Sequence, residues 1–157
     1  KIFELQGTMG SGPQIDRQRC FGDIMGDNIL GQASGNFTRA EGKTAMEAAL
    51  QTYPDLDLVF SHNDDMGLGA VEAIEAAGKV PGEDIKIVTI DAVRDGLQAL
   101  VDGKFNFVVE CNPVFGDQLV DLVKAIVAGD EIPAETVVID GSFDQSITQE
   151  EVDARLY

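Results

Sequence analysis

Positive charge is scarce in this chain. Eleven lysines and arginines stand against 28 aspartates and glutamates, a formal net charge of −17 over 157 residues. That imbalance argues against a nucleic-acid backbone as a partner, and equally against an anionic membrane surface. A neutral or cationic ligand is electrostatically easier. No apolar run approaches the roughly 18 residues that a membrane-spanning helix needs. Histidine occurs once, at His62, and cysteine twice, at Cys20 and Cys111, far apart and outside any CxxC motif. A zinc site therefore has too few ligands of the right type, and neither a metal nor a cofactor is expected. The two cysteines permit one disulfide, but independent, mostly buried thiols are the favoured reading. No signal-peptide pattern is present. The glycines at 7, 10 and 12 lack a following Lys-Ser/Thr and do not match G-x-G-x-x-G, which argues against a phosphate loop. No motif places a serine or cysteine beside His62. Asp64 and Asp65 are sequence neighbours that point apart, whereas an acid–base pair must face across a substrate. An enzyme is not expected.

What the chain does have is a repeated junction. Leu58-Val59-Phe60-Ser61 is an apolar run of strand length that stops at His62-Asn63-Asp64-Asp65. Met66, Gly69, Ala70, Ile74 and Ala77 then recur at helical spacing. Asn63 offers an amide donor and acceptor, and Asp64 or Asp65 can cap the helix. The same strand-then-helix unit returns along the chain. Lys1–Gln6 feeds a helix whose cap is Ser11, with Pro13 in its first turn. Asn28–Ala33 leads through Ser34–Phe37 to the capping-box sequence Thr38-Arg39-Ala40-Glu41. Asp84–Ile90 delivers Asp91 ahead of a helix from Arg94 to Gly103. Phe105–Val109 is followed by Glu110-Cys111-Asn112-Pro113 and a broadly apolar helix over 115–128. A last short strand is expected at Thr136–Ile139, and a small helix framed by Thr148 and Glu151 before Tyr157.

Five such units predict an α/β fold, an open parallel sheet with helices on both faces. All the junction loops then lie along one edge, the carboxyl edge, where ligands bind in such sheets. Arg17, Phe37, Asn63, Asp91 and Glu110 fall at or near these strand ends. Such a set suits a polyhydroxylated neutral ligand. Carboxylates and amides pair with hydroxyls, arginine donates in a rigid fork, and a ring packs on the C–H face of a sugar.

Several segments in order resemble the periplasmic sugar-binding proteins of bacterial ABC importers, of the ribose-binding type. They are ELQGTMGSGPQIDRQRCF (4–21), SGNFTR (34–39), FSHNDDMGLGAVEAIEAAG (60–78), IVTIDAVRDGLQALVDGKF (87–105) and VVECNP (108–113). Within that family the chain is most similar to the galactofuranose-binding subgroup. The resemblance implies a type I periplasmic binding protein, two lobes closing on a monosaccharide that is then passed to an ABC transporter permease, in the periplasm or another extracytoplasmic space. It implies that residues 1–112 are the second lobe and 113–133 a hinge-crossing segment and helix belonging to the first lobe. Residues 134–157 return to the second lobe, and the first lobe would lie upstream of Lys1. The family's pocket residues carry over onto Arg17, Asn63 and Asp91, onto Phe37 less closely, and its hinge-strand contact near Glu110 to Asn112. There Cys111 stands where ribose binders have an amide. Cys20 replaces a usual glycine, and the stretch between Phe21 and Gln32 is about four residues short. Ala92 replaces the glycine common after the pocket aspartate, which predicts a narrowed pocket or an altered hydroxyl contact. With its usual partner lobe absent, helix 115–128 is expected to pack on a second copy or be displaced, giving a packed or domain-swapped dimer. The alternative function on the same fold is the effector-binding core of a lactose-repressor-type transcriptional regulator.

Overall fold

A computed structural model describes residues 1–157. Six strands form one sheet: β1 (Ile2–Gln6), β2 (Ile29–Ser34), β3 (Leu58–Ser61), β4 (Lys86–Asp91), β5 (Phe107–Glu110) and β6 (Ser142–Asp144). Their spatial order is β2-β1-β3-β4-β5-β6. The first five run parallel and β6 pairs antiparallel with β5. Six helices accompany them: α1 (Gly12–Met25), α2 (Arg39–Thr52), α3 (Asp64–Ala76), α4 (Arg94–Val101), α5 (Gly116–Ala128) and α6 (Gln149–Asp153).

The sheet grows to one side of β1 with β2 and to the other with β3, β4 and β5, so right-handed crossovers put α1 on one face of the sheet and α2, α3 and α4 on the other. Alternation along each strand serves both faces. Phe3, Leu5, Val59, Ile87 and Val108 point into the main core with Met46, Met66, Ala70, Ile74, Leu97 and Leu100. On the opposite face Phe60 stacks on Phe21 of α1, with ring centroids 4.0 Å apart. That second face is polar at β1, where Glu4 and Gln6 are buried, and apolar and partly open at Phe107 and Val109.

The helix starts follow the expected chemistry. The Ser11 hydroxyl accepts from Gln14 N, whereas α3 is capped not by Asp64 or Asp65 but by the Asn63 side chain, which accepts from Met66 N. Thr148 and Glu151 form a complete capping box. At α2 only half of the box forms. Thr38 accepts from Glu41 N, while the Glu41 carboxylate accepts from Asn36 Nδ2 instead. Helices α2 and α3 meet backbone to backbone. A side chain at Gly69 would overlap the Arg39 carbonyl oxygen and lie 2.7 Å from Lys43 N.

Three expectations are corrected. Residues 136–139 form no strand: Val137 and Ile139 are exposed, and the strand lies further on, at Ser142–Asp144, running antiparallel. The chain leaves the sheet at the carboxyl end of β5 and comes back to that same end, so its next strand has to run the other way. Its return is pinned where Glu110 N donates to Gly141 O and Asn112 N donates to Asp140 Oδ1. Cys20 and Cys111 are free, as expected, but both are exposed. Cys20 borders an open groove with Phe21, Ile24, Phe60 and Ile90, and Cys111 lies on the segment departing from the sheet after β5. Ala92 does not narrow anything, because its methyl is fully buried in the main core. Its consequence is a left-handed backbone, φ 62°, which costs an alanine roughly 1 kcal/mol that glycine avoids.

No residue of α5 is buried. Leu119, Val120, Val123 and Ile126 are more than half exposed, and Val127 is 82% exposed. Propensity alone does not hold so short a helix in water, so an apolar stripe of this width requires a partner surface.

Candidate functional site

Four of the five site residues read from the sequence come together at the carboxyl edge. Arg17, in the second turn of α1, is the hub. Its guanidinium lies 3.6 Å from the Asp91 carboxylate, donates to the His62 carbonyl, and sits 5.9 Å from the centroid of the Phe37 ring. Asn63 joins the group by donating from Nδ2 to the Phe37 carbonyl at 3.2 Å, while its Oδ1 accepts from Met66 N at 3.0 Å. Both ends of this amide are therefore already engaged within the chain. Phe37 has a left-handed backbone, φ 60°, following Asn36 at φ 50°, which turns the ring back across Gly7. A Cβ at Gly7 would collide with that ring. Only glycine fits there.

Arg17 and Asp91 keep limited access to water, with 17% and 30% of their side chains exposed. Burial is the main influence on Asp91 and raises its pKa to about 6. The Arg17 charge opposes that rise and the Asp65 carboxylate adds to it.

Glu110 is placed differently. It pairs with Asp91 across the β4–β5 ladder, but its carboxylate turns toward the C-terminal tail. One oxygen accepts from Arg155 and from the Tyr157 hydroxyl, the other from Gly141 N. Burial raises its pKa, but Tyr157, Gly141 and Arg155 together outweigh that and hold it below the ordinary range. Burial and the bond to Glu110 push Tyr157 above its ordinary value. The tail is latched to the carboxyl edge as well. Arg155 Nε donates to the Ala92 carbonyl at 2.9 Å and Arg94 N donates to the Tyr157 carbonyl at 2.8 Å.

His62 is fully buried. Gly7 N donates to its Nδ1, so the ring proton sits on Nε2 and is donated to Glu4 at 2.9 Å. The histidine ties β1 to β3 beneath the site and does not open onto it.

Sequence reasoning missed the tail residues Arg155 and Tyr157, which carry no motif, and it misplaced Asp64. Asn63 is the cap of α3. Asp64 is 1% exposed, accepting from the Thr89 hydroxyl and from Val93 N. The available sign was Thr89 itself, a lone polar residue at an inward position of an otherwise apolar strand. Burial is the dominant effect on Asp64 and raises its pKa to about 7, against the lowering by Thr89 and Val93. An aspartate titrating near 3.8 when unfolded and near 7 when folded favours the folded state at low pH. The penalty is absent below about 4 and complete above about 7, where it is worth roughly 4 kcal/mol. Urea denaturation should thus give greater stability at pH 5 than at pH 8, and Asp64→Asn should flatten that difference. An unchanged difference in the variant would remove Asp64 as its source.

An open, mainly parallel sheet whose strand ends gather a cation, a carboxylate, an amide and a ring has the architecture of a ligand-binding α/β lobe. Comparison with known proteins specifies the class further. The chain belongs to the periplasmic binding protein domain family, whose description matches residues 1–131. It is 35% identical over 155 residues to the fructose import binding protein FruE of Bifidobacterium longum, covering 96% of this chain and 47% of that protein. It is 40% identical over 119 residues to the galactofuranose-binding protein YtfQ of Escherichia coli, covering 71% of this chain and 37% of that protein. Among solved structures, one from Mycobacterium smegmatis in complex with β-D-fucofuranose is 51% identical, with a TM-score of 0.86, covering 99% of this chain and 51% of that one. The arabinose-transporter binding protein of Shewanella sp. ANA-3, bound to L-arabinofuranose, is 39% identical with a TM-score of 0.89, covering 99% and 54%. The chain therefore has a type I periplasmic binding protein fold and spans about half the length, or less, of the relatives it matches.

Proposed function

We propose that this chain is the second lobe of the solute-binding component of an ABC sugar importer, taking a monosaccharide in its furanose form at the edge built by Arg17, Phe37, Asn63 and Asp91. The observation that carries the reading is the convergence of these residues, Arg17 against Asp91 and the Phe37 ring and Asn63 on the Phe37 carbonyl, in a chain whose half-identical relative carries a fucofuranose. Asp91 accepts from sugar hydroxyls, the outer N–H groups of Arg17 donate to ring or hydroxyl oxygens, and the Phe37 ring packs on the C–H face. Asn63 orients Phe37, and its second Nδ2 proton is free to meet a hydroxyl. Glu110 holds the root of the segment that leaves the lobe and contributes through position. A companion lobe supplies the other half of the contacts, and the sugar favours the shut state because only there does it touch both. In this reading residues 1–112 and 134–157 form the lobe, 113–133 crosses the hinge, and the loaded protein delivers its sugar to a permease outside the cytoplasm.

Calorimetric titration of arabinose, galactose, ribose and glucose into the two-lobed protein that contains this lobe tests the reading. One-to-one binding of at least one sugar is expected. Silence across the panel would contradict it.

The same reading gives α5 its partner, the companion lobe. For the 157-residue chain by itself, the apolar stripe of α5 is expected to be buried against a second copy. Sedimentation should show a dimer that Val123→Asp with Ile126→Asp dissociates, and a monomer at all concentrations would rule this out.

A further inference from the structure

We infer that Asp64 is a positioning residue for the sugar, clamping the turn that presents Asp91 although it touches no ligand itself. The inference rests on the sugar-binding reading above. Asp91 and Ala92 are consecutive residues with left-handed backbones, φ 128° and 62°. Non-glycine residues hold such angles only where their surroundings over-determine them, at a cost on the order of 1 kcal/mol or more each. The restraint comes from α3. Asp64 reaches across from the first turn of that helix, and its Oδ2 accepts from Val93 N at 2.9 Å. Val93 is the N-cap of α4 and has no side-chain cap of its own. The Asp64 carboxylate therefore does for α4 what a glutamate in the third helical position does in a capping box, but from a neighbouring helix.

Two further features fix the carboxylate. Its Oδ1 accepts from the Thr89 hydroxyl, two residues before Asp91 on the same strand. Gly96, in the first turn of α4, has no room for a Cβ because Asp64 Oδ2 occupies that space. Asp64 thus holds the residues on both sides of the Asp91–Ala92 turn, Thr89 before it and Val93 after it. With those two points fixed, the turn cannot relax to negative φ without moving strand or helix, and the Asp91 carboxylate stays facing Arg17.

The test uses Asp64→Ala and Asp64→Asn, with two readouts. The first, on the 157-residue chain without sugar, is the one-bond Cα–Hα coupling and Cβ shift of Ala92, which distinguish positive from negative φ. The second is calorimetric affinity for L-arabinose in the two-lobed protein. Asp64→Ala should lose the left-handed signature of Ala92 and weaken sugar binding on the order of tenfold or more, the loss typical of an orienting outer contact. Asp64→Asn should rescue both, because its Oδ1 accepts from Val93 N while its Nδ2 donates to the Thr89 hydroxyl. Retention of positive φ in Asp64→Ala would overturn the clamp. Altered φ with unaltered affinity would overturn the positioning role. Should Asp64→Ala not fold, Gly96→Ala displaces the same carboxylate from the other side and is read identically. If the wild-type protein binds neither L-arabinose nor any other sugar of the panel, the sugar-binding reading fails and the positioning role with it, while the Ala92 signature still decides whether the clamp exists.

Discussion

Asp91→Ala is expected to reduce sugar affinity by roughly a hundredfold or more, about 3 kcal/mol, in the two-lobed protein. The carboxylate does two things at the site. In the sugar-binding reading it accepts from sugar hydroxyls, and it balances Arg17, whose side chain is only 17% exposed. Truncation removes the acceptor and leaves a half-sequestered guanidinium without its partner, the situation in which losses are largest. Asp91→Asn keeps the shape and one acceptor but loses the charge, so it should fall between wild type and alanine. The pH dependence follows from the same group. Because burial raises Asp91 to about 6, the ionised form, in which both oxygens can accept, dominates above that value. Affinity should be level from about pH 7 upward and decline as the pH falls through 6. Calorimetry at pH 5, 6, 7 and 8 measures this, and a profile flat to pH 5 would remove the Asp91 carboxylate from the contact.

Gly69→Ala is expected to destabilise the chain by about 3 kcal/mol or more, a large part of the roughly 5–15 kcal/mol that holds a domain together. The atoms in the way are main-chain atoms. A Cβ at 69 meets the Arg39 carbonyl and Lys43 N, and on the facing helix a Cβ at Gly42 would lie 2.6 Å from the Cα of Met66. No rotamer change relieves either clash, so α2 and α3 have to move apart and open the core around Met46, Met66 and Ala70. Arg39 would shift with α2, loosening its ion pairs to Asp65 and Asp95. Gly22→Ala is the control. Its position in α1 has open space around it, and alanine there should be neutral or stabilising by a few tenths to about 1 kcal/mol. Thermal denaturation followed by circular dichroism should lower the midpoint by roughly 6–12 °C for Gly69→Ala and leave Gly22→Ala unchanged or higher.

Most of the architecture was legible because local signals agreed with one another. Strand-length apolar runs ended at cap residues, and Ser11, Thr38 and Thr148 all cap in the structure. The gathering of Arg17, Phe37, Asn63 and Asp91 followed from topology, since a parallel sheet sends every strand-to-helix junction to one edge. What was not legible depends on contacts between distant segments. Thr136–Ile139 has strand-like composition, but pairing is decided by where Glu110 and Asn112 anchor the returning chain, thirty residues away in sequence. Glu110 read as a ligand because its strand ends at the right edge. The structure gives its oxygens to Arg155, Tyr157 and Gly141, partners that no spacing rule connects to it. Cys20 and Cys111 show the converse, residues whose type favours burial but whose neighbours leave them open. The buried role of Asp64 depends on Thr89 and Val93 arriving from another unit of the fold.

The most direct test of the sugar-binding assignment is a crystal structure of the two-lobed protein grown with the tightest ligand of the panel. The predicted result is a furanose at the carboxyl edge of the sheet, with hydroxyls hydrogen-bonded to Asp91 and Arg17 and one ring face on Phe37. A ligand seated elsewhere, with no contact to Asp91 or Phe37, would contradict it.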